Sequence, residues 1–326
     1  MNTKQSVASQ RYRSGLNRTI AYLVCVLAVV ACSACARSTP PTDPSGDSQA
    51  GTHAPRSAMD AAIRLVDARA ILMARFDQLA QHSSGQRIAR QLSVQFGVED
   101  TGLNPDTQVA SMFVAAAGIS RGDHQVVVVK YLVPSEQMRA MLEAMAERTG
   151  GRSLDSGGLN GVRVLGRSGE RVYVMAGVDL LIVLPTGIED IAQEAFAGPI
   201  ELRDSIGPEA MRVSVTEPSV TLGGYGGPSI PSTISNARAK LTFRQDGGAD
   251  ISAEGQSTSA EQAQADAMSL THSVESATTV RISVVQVRMF PAVVFRAEED
   301  TVKSDVSLSA DELRRLLVLS EMALRR

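Results

Sequence analysis

Apolar positions acquire a regular spacing only from Ser57 onward. Ala62, Ile63, Leu65 and Val66 read as a short strand, and residues 71–79 and 88–96 as helices broken near Ser83-Ser84-Gly85. After the turn Asn104-Pro105-Asp106, the β-branched and apolar runs 109–117 and 126–133 flank Ser120-Arg121-Gly122-Asp123, the pattern of a hairpin. Met138, Met141, Leu142 and Met145 then recur at helical spacing in a segment opened by Ser135 and closed by Gly150-Gly151. Short strands are expected at 162–165, 172–175 and 180–184, followed by a helix over 188–196.

The second half repeats this grammar. Phe243-Arg244 leads through Asp246-Gly247-Gly248 to Asp250-Ile251-Ser252 and a helix opening at Ser259-Ala260-Glu261. Phe295-Arg296 leads through Glu298-Glu299-Asp300 to Asp305-Val306-Ser307 and a helix opening at Ser309-Ala310-Asp311. The helix at Ser135-Glu136, after its own hairpin, is a looser third copy. The stretch 217–233 reads as an irregular loop, and 280–287 as strand because of its β-branched residues. The pattern as a whole predicts an α+β fold: antiparallel hairpins backed by amphipathic helices, in two related halves (57–200 and 201–326) consistent with internal duplication.

The N-terminus is organised differently. Eighteen polar and basic residues precede an apolar run over 19–30, the layout of a secretory signal. The run falls short of the roughly 20 apolar residues that a permanent span needs. It ends in Val29-Val30-Ala31-Cys32, which resembles the bacterial lipobox. That resemblance implies cleavage after residue 31, a diacylglycerol thioether on Cys32, and acyl chains whose buried methylenes contribute about 0.8 kcal/mol each to membrane attachment. Cys35 is a fallback acceptor. Ser33, in place of aspartate, accompanies sorting to the outer membrane among Gram-negative lipoproteins. Residues 32–56, with Pro40, Pro41, Pro44 and Pro55 among Ser, Thr, Gly and Asp, read as a solvated tether, about 25–30 Å end to end if Gly/Ser-like.

Composition narrows the function classes. No tryptophan, five tyrosines and seven phenylalanines in 326 residues leave few rings for stacking sugars or unpaired bases. The net charge is -3, and Lys4, Arg11, Arg13 and Arg18 all precede residue 32 with no acid among them, so the remainder carries -7 and should avoid nucleic acid. With Cys25 removed and Cys32 acylated, Cys35 stands alone and no internal disulfide forms. His53, His82, His124 and His272 are scattered singly, which suits neither a metal centre nor a serine–histidine pair, and no cofactor is expected.

Leu154-Asp155-Ser156-Gly157-Gly158 resembles the segment around a trypsin-like serine, and its inner triplet resembles that of the aspartic proteases. Neither family's wider context is present, and a glycine-rich turn explains the segment. The loop Gly223-Gly224-Tyr225-Gly226-Gly227 lacks the Lys-Ser/Thr of a P-loop; as a ligand cover its contact would be Tyr225. Met138, Met141 and Met145 fit core filling or an adaptable apolar cavity. The sequence therefore predicts a non-catalytic, lipid-anchored envelope protein that binds or scaffolds, with an envelope protein or lipid as partner. An apolar-ligand carrier is the first alternative and a hydrolase using Ser156 or Asp155 the second.

Overall fold

A computed structural model describes residues 56–118, 125–154, 160–166, 169–202, 207–222, 229–282, 285–288 and 292–324. Its strands are β1 (Arg56–Ser57), β2 (Ala70–Arg75), β3 (Val109–Ala116), β4 (Gln125–Tyr131), β5 (Arg152–Leu154), β6 (Asn160–Gly166), β7 (Gly169–Ala176), β8 (Leu180–Pro185), β9 (Ile200–Glu201), β10 (Met211–Thr216), β11 (Asn236–Phe243), β12 (Ala249–Gln256), β13 (Thr279–Ile282), β14 (Val285–Arg288), β15 (Arg296–Glu298) and β16 (Thr301–Leu308). The helices are α1 (Ala58–Val66), α2 (Phe76–Leu79), α3 (Ser83–Gln95), α4 (Ser135–Thr149), α5 (Glu189–Phe196), α6 (Pro218–Thr221), α7 (Ala260–Thr278) and α8 (Ala310–Leu324). The fold is α+β. Twelve strands form one antiparallel sheet in the order β15-β16-β12-β11-β10-β2-β3-β4-β8-β7-β6-β5. Two small pairs stand apart from it, β1 with β9 and β13 with β14. Both edges of the large sheet, β5 and β15, are three residues long.

The expected hairpins are present, and each of β4, β8, β12 and β16 runs directly into a helix. Serines open two of these. Ser259 Oγ accepts from the Gln262 amide at 3.2 Å, and Ser309 and Glu312 form a reciprocal capping box in which the Ser309 amide donates to Glu312 at 2.8 Å. Ser135 differs from expectation: Pro134 occupies the cap position and Ser135 is already helical, without a side-chain capping bond. Gly150 ends the helix in the left-handed conformation.

Three local expectations are overturned. Residues 62–66 are helical, within α1. Its alanines favour helix, Ser57 caps it by accepting from the Asp60 amide, and Ala58, Ala61, Ala62 and Val66 share its buried face. Residues 71–79 divide into strand β2 and the single helical turn α2, because the Ala-Ile-Leu-Met-Ala-Arg run lies between β10 and β3 near the middle of the sheet. An apolar run buried on both faces carries no period to tell strand from helix. Ser83-Ser84-Gly85 is the first turn of α3, and the break lies just before it. Gly85 is required there by packing, since a Cβ would stand 2.2 Å from the Leu79 carbonyl oxygen. The loop expected over 217–233 also contains α6.

Helices α3, α4, α7 and α8 share one sheet face, where Leu92, Met138, Leu142, Met145, Leu270 and Leu317 pack against Met112, Val127, Val129, Leu181, Val213 and Ile251. Among the described residues, the other face is covered only in part. There α1 and α5 lie over β3, β4, β7 and β8, burying Phe113, Val126, Val128, Val172, Val174, Leu180 and Ile182. A buried carboxylate fastens α7 to its surroundings: Thr233, Ser257 and Gln262 all donate to Asp266, at 2.7, 2.7 and 2.8 Å. Because β2 pairs with β10, the segments before and after residue 200 contribute neighbouring strands to the same sheet.

Candidate functional site

Strands β10, β11 and β12, and β16 from Val302 onward, largely alternate, with Val213, Val215, Ala237, Ala239, Leu241, Ile251, Ala253 and Val306 turned into the core. The intervening residues face away from the core on the side that α1 and α5 leave uncovered. Register sets their neighbours: Arg212 lies opposite Lys240, Ser214 opposite Arg238, Thr216 opposite Asn236, and Arg238 opposite Glu254. Directly paired side chains start about 4.5–5.5 Å apart at Cβ.

These residues line a trough of about 470 Å³, formed by Ile71, Arg212, Ser214, Thr216, Asn236, Arg238, Lys240 and Glu254 together with backbone of β10 and β11. Ile71 is its apolar wall and belongs to β2, where the helix-covered part of this face begins. At one end Arg69, before β2, pairs with Glu217, after β10, at 2.7 Å. Both are half exposed, so the pair contributes at most about 1 kcal/mol.

The electrostatics are asymmetric. Arg212 is paired with the buried Glu209. Burial alone would raise that carboxyl, but its own backbone amide, the Arg212 hydrogen bond and the charges of Arg212 and Lys240 leave it below the usual carboxylate range. Arg238 and Lys240 have no ion pair among the described residues. Glu254 is held above the usual range by burial, against the opposing pull of Lys240, Arg238, Lys303 and Arg212. The lining thus carries three cations and one carboxylate whose ionisation the site disfavours. Such an arrangement attracts anions, while Ser214, Thr216 and Asn236 can exchange hydrogen bonds with hydroxyls.

The residues singled out by sequence lie elsewhere. Met138 and Met145 are fully buried between α4 and the sheet, on the opposite face from the trough, and Met141 is half-buried beside Gly102. His82 stacks on Phe243 with ring centroids 4.6 Å apart, and His272 is exposed on α7. Cys32, Asp155, Ser156, Tyr225, His53 and His124 lie outside the described residues. Among the described residues, no three His, Cys, Asp or Glu side chains could hold a metal ion, and no helix is long and apolar enough to cross a membrane.

Tyr173 is the clearest perturbed group away from the trough. Burial raises its hydroxyl well above the ordinary tyrosine value, with Asp100 adding to the effect, and the O–H donates to the Gly97 carbonyl at 3.0 Å. It locks the loop after α3 onto β7, where a Cβ on Gly97 would lie 2.7 Å from the hydroxyl. Sequence reading passed over the whole trough, although Met-Arg-Val-Ser-Val-Thr and Asn-Ala-Arg-Ala-Lys-Leu carry its signal in their period-two alternation. No family model, curated protein or solved structure matches this chain.

Proposed function

We propose that this chain is an envelope lipoprotein, held to the outer membrane through Cys32, whose folded part binds a partner non-catalytically on the uncovered sheet face. The observation that carries the binding role is the trough, a concave site on a sheet face that is elsewhere covered by helices. Its size falls in the range of about 300–1,000 Å³ common for small-ligand sites. Among the described residues, neither of its hydroxyls, Ser214 and Thr216, is hydrogen-bonded to a histidine or carboxylate, which favours binding over nucleophilic chemistry. The lipid-carrier alternative would place an apolar hollow beside α4. Met138 and Met145 are instead buried against core side chains there, which favours the polar face as the binding surface.

An ancestral duplication belongs to the same reading. Each half contains three adjacent strands, β2-β3-β4 and β10-β11-β12, that lead into a helix, and each later has a hairpin, β7-β8 or β15-β16, whose last strand lies beside the third. The two halves meet at the antiparallel pair β2–β10. In this view one copy kept its helical cover while the other was left bare for binding.

Intact-mass analysis of protein purified from membranes tests the anchor. The expected species begins at Cys32 and carries a diacylglyceryl group. An unacylated protein in the soluble fraction, starting at another residue, would overturn it. Esterase or peptidase turnover abolished by Ser156→Ala would overturn the non-catalytic role.

A further inference from the structure

The geometry points to a soluble, phosphate-bearing small molecule as occupant of the trough, its phosphate seated among Arg212, Arg238 and Lys240. This rests on the binding role proposed above and names its ligand class. Arg212 and Lys240 are directly opposed across β10 and β11, and Arg238 lies two residues along the same face. Like charges so placed destabilise a sheet unless an anion sits between them, and the one carboxylate among them, Glu254 opposite Arg238, is partly buried and leaves the cations in excess. Glu209 compensates Arg212 alone, and the Arg212 Nε is buried with no acceptor. Arg238 and Lys240 have neither ion pair nor hydrogen bond among the described residues.

Three cations presented by two adjacent strands suit an anion with more than two oxygens, which favours phosphate over carboxylate. Beyond the phosphate, Ser214, Thr216, Asn236 and Glu254 present both donors and acceptors, as the hydroxyls of a polyol phosphate require. Among the described residues, the lining has no aromatic ring to stack a base, which disfavours a nucleotide. Depth separates a soluble ligand from a lipid headgroup. Helices α1 and α5 rise from the same sheet face, and a packed helix is about 10–12 Å thick, so the floor of the trough lies well below any flat bilayer resting on them.

The test uses full-length protein purified from membranes in detergent, with inorganic phosphate and glycerol 3-phosphate as probes. The readouts are calorimetric titration and the acetylation rate of Lys240, followed by peptide mass spectrometry. Both probes should protect Lys240 saturably and leave Lys130 unaffected. Arg238→Gln, on an exposed side chain, should weaken binding tenfold or more, whereas Glu254→Gln should tighten it severalfold by removing the competing carboxylate. Four results would overturn the proposal: no protection, equal protection by acetate at matched ionic strength, unchanged affinity in Arg238→Gln, or protection by phosphatidylglycerol vesicles alone. Failure here leaves an acylated Cys32 untouched, and an unacylated chain that still binds phosphate would remove the anchor while keeping the site.

Discussion

Strands β3 and β4 bury nearly every side chain, whereas β11 and β12, in the same sheet, bury every second one. Both regions share the lower helical layer, so the contrast comes from the upper face alone. On the covered side Val126 and Val128 are sealed under α1 and α5, each worth about 1.5–3 kcal/mol of apolar burial. On the open side the residues that face the same way include Arg238 and Lys240. The comparison teaches that stability and availability have been assigned to different halves of one sheet. A face sealed by helices holds the fold together, and a face left bare can exchange charges with something outside.

The most disruptive way to probe this is to hollow out the covered half. Phe113→Ala, at a fully buried position beneath α1, should cost about 3–5 kcal/mol, read as a lower urea midpoint. A loss under about 1 kcal/mol would mean that the cover is not tightly packed and the contrast is false. Next comes a single hydroxyl. Tyr173→Phe strips the buried Gly97 carbonyl of its donor and should cost about 1–3 kcal/mol. The matching deletion in the open half, Ser252→Ala, should fall within about 0.5 kcal/mol because that serine is exposed.

A subtler probe concerns pH. The folded chain raises the Glu254 carboxyl above its ordinary 4.5, so its favourable contribution is complete below that value and is lost as pH rises through the raised one. Glu254→Gln should therefore be at least as stable as the parent at pH 7, with that advantage shrinking toward pH 4 in paired denaturation curves. A variant less stable at pH 7 and recovering in acid would show that the four surrounding cations, rather than burial, govern this carboxylate. Glu209 should behave oppositely: its stabilisation is present above the ordinary value and lost as pH falls through its lowered one.

Much of the architecture was legible from the chain alone. The hairpin over 109–131, the methionine-bearing helix, the strands around 162–184 and both serine-opened helices announce themselves through period and caps. The exceptions have physical causes. Strand β2 is helix-like in composition and became a strand because neighbours on both sides offer it ladder hydrogen bonds, which no local propensity encodes. Helix α1 shows only a short apolar cluster, Ala62 to Val66, in its last turn, and its helical signal lies in the Ser57 cap and the alanines before that cluster. Strand β10 was missed despite clean alternation, its three apolar residues being too few to stand out. The trough was beyond reach for a different reason. Its cations sit at positions 212, 238 and 240, and only the pairing of β10 with β11 makes neighbours of them.

The two three-residue borders of the sheet have a consequence for how the folded chain tolerates crowding. A full-length rim of free amides and carbonyls would template the addition of another molecule and start a filament. Here the outermost strands β5 and β15 each give an incoming strand only three residues, beset by charge at Arg152 on one side and at Arg296 and Glu298 on the other, and the part of β16 that extends past β15 carries the charged Asp305. Crowded copies can therefore stand side by side without zipping together into fibres.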